Sequence, residues 1–227
     1  MKRGFYTIMS AQFFSSLADN ALFVAAVELL RTSGAPEWQR AALVPMFALF
    51  YVVLAPFVGA FADALPKGRV MFFSNAIKIV GCLMMLFGSH PLIAYAVVGL
   101  GAAAYSPAKY GILTELLPAS QLVKANGWIE GLTIASIILG VLLGGQLVGH
   151  HLSAALLSID IPMIDFGIHT AAEAAIAALI LVYALAAWFN TRIPHTGVEM
   201  RPLRQHPQRR ILASTLALLP DFWACNS

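Results

Sequence analysis

TAAEAAIAALILVYALAAWF, residues 170–189, carries one charged side chain, Glu173, in its whole length. At about 1.5 Å of rise per residue a helix of this length is roughly 30 Å long, the depth of a bilayer's hydrocarbon layer. Apolar side chains would face outward all round such a helix, and lipid is the solvent that accepts them while the backbone bonds to itself. Stretches of the same texture recur upstream at 5–30, 41–62, 70–88, 92–113 and 128–148, each near the roughly 20 residues that cross a bilayer. The composition agrees: 59% of the 227 residues are hydrophobic and 11% charged, with a mean hydropathy of +0.78, too few charges for a water-soluble surface. The expected fold class is all-α integral membrane, a six-helix bundle over residues 1–190.

Lys2, Arg3, Lys67, Arg69, Lys124, Arg192, Arg201, Arg204, Arg209 and Arg210 fall on one side of the membrane if the runs alternate, and Arg31 and Arg40 on the other. Cytoplasmic loops are enriched in Lys and Arg, so both termini are expected in the cytoplasm. The formal net charge is +3 and the pI about 9.0, but these residues punctuate the apolar runs instead of forming one patch, which argues against nucleic acid as a partner. Cys82 and Cys225 make neither a disulfide framework nor metal-ligand spacing.

A cleaved signal peptide is the rival reading of the first run, yet Asp19 and Asn20 interrupt it and apolar residues continue beyond them, unlike a leader's short apolar core. Between the fifth and sixth runs lie His150, His151, Asp160 and Asp165, and a short interfacial segment is expected there. Adjacent histidines with no third ligand are read as solvent-exposed, so no metal site is expected. Beyond residue 189, Pro194, Gly197, Pro202 and Pro207 among Arg and His read as a cytoplasmic linker within 191–227. The apolar segment 211–219 is too short to span as a helix, and the chain is read as cut short there.

The most specific short pattern joins the second and third runs: Gly59-Ala60-Phe61-Ala62-Asp63-Ala64-Leu65-Pro66-Lys67-Gly68-Arg69. A small Gly59 permits close helix approach, Asp63 suits the positive N-terminus of the next helix, and Lys67 and Arg69 suit lipid headgroups. This run resembles the loop signature of the major facilitator superfamily, with Asp63 and Gly68 one residue further apart than usual and Pro66 at a typically polar position. An ordinary charged cytoplasmic turn is the alternative.

Four further stretches, residues 14–22 with Ala18-Asp19-Asn20-Ala21, 55–59 (APFVG), 101–113 (GAAAYSPAKYGIL) and 122–127 (LVKANG), resemble the bacterial lysophospholipid transporter family of that superfamily, in order. The likeness covers residues 1 to about 190 and fades in the tail. It implies a twelve-helix fold of two six-helix halves, this chain being the N-terminal one. It further implies movement of lysophospholipids such as lysophosphatidylethanolamine across the inner membrane for re-acylation inside. The implied partners are membrane lipids, the lysophospholipid and a cytoplasmic acyltransferase acting on the imported lipid; no cofactor is implied.

Charges at membrane depth cost about 2.5 to 3.5 kcal/mol on insertion scales and need a cavity or a partner. Asp19, roughly 21 Å into its run, and Asn20 beside it are read as cavity-facing; by the resemblance Asp19 would engage the headgroup or couple transport, against a buried carboxylate tied to neighbouring helices. Lys78 could meet a lipid phosphate or pair with an acid such as Asp19, against snorkelling to the headgroups. Lys109, just after Pro107, is read as a substrate contact against snorkelling to the headgroups, and Pro107 is expected to kink its helix. Glu28 is read as a solvated rim residue. Glu115 is expected to pair with Arg69 or Lys67 as a cytoplasmic latch, by likeness to other major facilitators. Gly131, Gly140, Gly144 and Gly145 are read as packing glycines, and Lys124, Asn126 and Glu130 as caps or headgroup contacts flanking the fifth run.

A lysophospholipid transporter is the first functional reading, and a major facilitator for another solute the second, because a fold does not fix a substrate. A membrane-embedded lipid-modifying enzyme is the third. Its signatures are missing: no His-x4-Asp pairing occurs at His90, His150, His151, His169, His195 or His206, and neither a nucleophile elbow nor a nucleotide-binding glycine loop appears.

Overall fold

The computed structural model describes residues 3–157 and 168–194, and of residues 3, 56–64, 150 and 151 the backbone alone. Asp160, Asp165 and the stretch from residue 195 onward lie outside the described residues. Six long helices carry the six apolar runs: α1 (Arg3–Thr32), α2 (Glu37–Ala64), α3 (Lys67–Leu86), α4 (Pro91–Leu116), α5 (Ala119–Val148) and α7 (Ala171–Thr191). A short α6 (His150–Leu157) follows α5, within the connection read as holding a short segment. No strand occurs among the described residues.

The helix ends have local causes. Gly34 at φ +68° and Gly88 at φ +78° take left-handed backbone after α1 and α3, a conformation that costs glycine nothing and closes the last turn. Ala35 N–H then donates to Leu30 O at 3.0 Å, and Ser89 N–H to Met84 O at 2.9 Å. Leu65-Pro66 and Leu117-Pro118 link α2 to α3 and α4 to α5; each leucine is extended, as the residue before proline prefers. At the start of α7, Thr170 and Glu173 form a reciprocal capping box.

One boundary moves materially. α5 begins at Ala119, nine residues before the expected 128, because its first turns are polar and only its later part reads as apolar. Lys124, Asn126 and Glu130 therefore lie within the helix and do not flank it.

Neighbouring helices follow the order α5, α1, α7, α3, α4, α2, with α1 also touching α4. Small residues make the crossings close. A methyl group added to Gly140 or Gly144 would stand 2.6 Å from Leu17 O or 2.7 Å from Ala21 O, so α5 rides on the backbone of α1. Gly81 and Gly101 do the same between α3 and α4, and Gly99 lies directly against Phe47 of α2. Gly131 and Gly145 face open space, which removes them from the expected packing set. The core is built from Ala18, Ala21, Ala25, Leu22, Val98, Ile176, Leu179 and Tyr183. α2 and α5, at the two ends of the neighbour order, leave exposed apolar side chains such as Val44, Val52, Ile138 and Leu142, as lipid- or partner-facing helices do.

Candidate functional site

Polar residues one turn apart on α1 and α3 meet in the middle of this bundle. Ser15 and Asp19 share a face of α1 at i, i+4, and Asn75 and Lys78 share a face of α3 at i, i+3. Lys78 Nζ donates to Asp19 Oδ2 at 2.7 Å and to Ser15 Oγ at 2.9 Å, and Ser15 Oγ donates to Asn75 Oδ1 at 2.8 Å. Tyr183 of α7 donates to Asp19 Oδ1 at 2.7 Å. The ammonium lies 5.3 Å and 5.6 Å from the ring centroids of Tyr105 and Tyr183, within cation–π range.

Asp19 is 16 residues past the first residue of α1, roughly 24 Å along the helix, so the charges sit far from either end. The Lys78 side chain is 1% exposed, whereas Asp19 keeps 18%. Snorkelling is thereby excluded for Lys78; the lysine is locked into an ion pair whose carboxylate is the accessible partner. Two buried polar atoms next to this network, Asn75 Nδ2 and the Tyr105 hydroxyl, have no hydrogen-bond partner among the described residues. Asn20 points elsewhere, donating to Ser16 O of its own helix at 2.8 Å.

A second polar cluster spans α4 and α5. Tyr110 donates to Glu130 Oε1 at 2.6 Å, Lys109 Nζ is 4.0 Å from the same oxygen, and that ammonium lies 4.4 Å from the Tyr110 ring centroid. Thr133, one turn beyond Glu130, accepts from Gln12 of α1 at 3.2 Å, so polar groups continue from this cluster toward Ser15 and Asp19. Glu28 pairs with Arg31 at 2.7 Å at the far end of α1, as a rim residue does.

The loop signature lies where α2, α3, α4 and α7 meet. Lys67 opens α3 and its Nζ is 4.0 Å from Glu115 Oε1 at the end of α4, while Arg69, two residues on, is exposed. Gly68 packs against Asn190 O and Ile193 just past α7. The backbone of α2 runs through Gly59 and Asp63, and the Asp63 side chain lies outside the described set.

The structure thus brings together Asp19 with Lys78, Lys109 with Glu130, and Lys67 with Glu115, and leaves Asn20 and Arg69 outside those pairs. Ser15, Asn75, Tyr183, Tyr110 and Glu130 were not anticipated as site residues. Spacing pointed to two of them, since Ser15 and Asn75 stand one turn from the charges they touch. Tyr183 sits in the most uniformly apolar run and gave no signal.

The model of the Major Facilitator Superfamily matches residues 8–224. The chain belongs to that superfamily. The matched region extends past residue 190, where the likeness read from the sequence faded. As a major facilitator chain it has close relatives of known name: it is 44% identical over 207 residues to the lysophospholipid transporter LplT of Yersinia enterocolitica serotype O:8, covering 89% of this chain and 46% of that protein. The same figures hold for the lysophospholipid transporters LplT of Yersinia pestis strain Pestoides F and Yersinia pseudotuberculosis strain YPIII. The chain spans about half the length of the curated relatives it matches. Its six apolar helices make this major facilitator chain a multi-pass membrane protein.

Proposed function

We propose that this chain forms half of a transporter that moves lysophospholipids such as lysophosphatidylethanolamine across the bacterial inner membrane. The observation that carries the reading is 44% identity over 207 residues to proteins named as lysophospholipid transporters. Membership of a transporter superfamily favours transport over enzymatic modification of the lipid. A lysolipid lacks one acyl chain, so an acyltransferase acting on the delivered lipid is the partner whose chemistry completes the task. The Lys and Arg residues gathered at the end of the bundle where α1 and α3 begin support a cytoplasmic position for that end and for both termini.

Asp19 is the headgroup or coupling residue in this reading. A carboxylate that is the accessible member of a buried pair suits a cationic amine, and Lys78 and Tyr183 hold it in place. Lys109 offers a second charge toward phosphate, and Asn20, next to Asp19 in the chain, serves its own helix by donating to Ser16 O. Lys67 and Glu115, with Gly59, Asp63, Gly68 and Arg69, form a latch at the cytoplasmic end, whose breaking shifts the inward and outward populations by no more than its differential energy.

The test is uptake of labelled lysophosphatidylethanolamine into spheroplasts. The chain is expressed alone and together with the part of the Yersinia enterocolitica relative that it does not match, each with and without Asp19→Ala. Uptake is expected in the completed pairing and lost with Asp19→Ala. Equal uptake by the variant removes Asp19 from the mechanism, and transport of sugars or drugs with lysolipids left outside overturns the substrate.

A further inference from the structure

We infer that Asn75, Tyr105 and Asn190 together hold buried water beneath the Lys78–Asp19 pair, on the side where α1 and α3 begin. The inference concerns the bundle itself and is independent of what the chain carries. Its basis is a set of side-chain atoms from three helices. Asn75 Nδ2, the Tyr105 hydroxyl and both amide atoms of Asn190 have no hydrogen-bond partner among the described residues, and these residues are 0%, 4% and 2% exposed. A buried polar atom left unpaired keeps its full desolvation penalty, so several gathered at one place need a common partner.

The packing gathers them. Asn190 and Tyr183 share one face of α7 at i, i+7, the face that meets Asp19. Gly68 fixes the level of Asn190, since a methyl group added there would stand 3.4 Å from Asn190 O. Asn75 is seven residues beyond Gly68 on α3, roughly 10 Å further from that end of the bundle. α3 starts at this end and α4 and α7 finish at it, as Lys67 beside Glu115 and Gly68 beside Asn190 show. Side chains lean toward the N-terminus of their own helix, so Asn75 leans toward this end while Tyr105 and Asn190 lean away from it, into the same interval. Tyr105 closes that interval from α4: its ring centroid lies 5.3 Å from Lys78 Nζ, and it shares a buried cluster with Ile8, Met71 and Ile193. A side-chain amide needs an acceptor and a donor together. Water supplies both, whereas a halide serves only the N–H groups and a metal cation only the oxygen. Two of the three Lys78 N–H groups go to Asp19 and Ser15, so water here also solvates the third without opening the bundle.

The test begins with X-ray radiolytic footprinting of the purified full chain in mild detergent. Hydroxyl radicals form wherever water stands, so a side chain against buried water is oxidised although bulk solvent does not reach it. Tyr105 and Met71 are expected to be oxidised several-fold faster than Tyr95 and Met85, which are as deeply buried but lie in the apolar core cluster. Equal rates in the two sets overturn the inference. Thermal unfolding of Tyr105→Phe, Asn190→Leu and the double variant supplies a second readout. If water bonds to both groups, each single variant lowers the midpoint by about 2 to 4 °C, and the double variant falls by less than the two together because the residues share a partner. Idle polar atoms give the opposite sign: replacing them by apolar ones raises the midpoint, which overturns the inference, as do falls that simply add. A midpoint that follows chloride or sodium concentration at fixed ionic strength overturns water as the occupant.

Discussion

The hydroxyl of Tyr183 donates to Oδ1 of Asp19 at 2.7 Å, joining residues 164 positions apart in the chain. Both groups are in the middle of the bundle, and Tyr183 is fully buried. Tyr183→Phe removes one donor from a carboxylate that keeps Lys78, at an expected cost of about 1.5 to 3 kcal/mol, the range for a hydrogen bond to a charged group. Thermal unfolding of the detergent-solubilised chain measures it, and an unchanged midpoint would show that the hydroxyl contributes nothing there.

Lys78→Met is expected to be worse, because it strands Asp19 beside apolar neighbours; breaking a buried pair costs about 3 to 5 kcal/mol. The double variant Asp19→Asn with Lys78→Met removes both charges and should recover most of that loss. Recovery appears as a return of the unfolding midpoint toward that of the unsubstituted chain. If the double variant is as unstable as Lys78→Met, the charges are not what couples α1 to α3.

Gly140 and Gly145 lie on one helix and should respond in opposite directions. Gly140→Ala drives a methyl against Leu17 O and is expected to destabilise by about 1 to 3 kcal/mol, as overpacking does. Gly145→Ala meets nothing within 4 Å and should stabilise α5 by about 0.5 to 1 kcal/mol through lower backbone entropy. Midpoints that move together would contradict the described seating of α5 on α1.

Lys67 and Glu115 stand 4.0 Å apart between the start of α3 and the end of α4. Glu115→Lys puts two like charges there and should lower stability, and the exchanged pair Lys67→Glu with Glu115→Lys should restore part of it. A double-mutant cycle is expected to give a coupling of about 1 kcal/mol. A coupling indistinguishable from zero would leave proximity without interaction.

Thr170→Ala deletes the side-chain oxygen that accepts from Glu173 N–H at 3.2 Å. Loss of this cap is expected to cost about 1 kcal/mol and to fray the first turn of α7. Amide hydrogen exchange across residues 171–175 should quicken, with the far end of α7 unaffected. Uniform exchange along the helix would mean that packing, not the cap, holds its start.

Much of the architecture was legible in the sequence because crossing a bilayer is a local demand. Each run meets it with its own side chains and backbone, whichever residues lie elsewhere in the chain. The turns at Gly34, Gly88, Pro66 and Pro118 are local in the same way, each set by the backbone preference of one residue. The start of α5 was hidden because polar first turns carry no hydropathy signal, and with it went the position of Glu130 inside the helix.

Composition and spacing by themselves determined that charges such as Asp19, Lys78 and Lys109 must find shelter, since an unpaired charge in hydrocarbon is too costly to persist. Which group shelters which was decided only in three dimensions. Lys78 reaches Asp19 across 59 residues, and Tyr183 completes the network from a run that looks wholly apolar. Tertiary packing sets the rotation of each helix about its own axis, through contacts such as Gly140 against Leu17, and no local pattern specifies that angle.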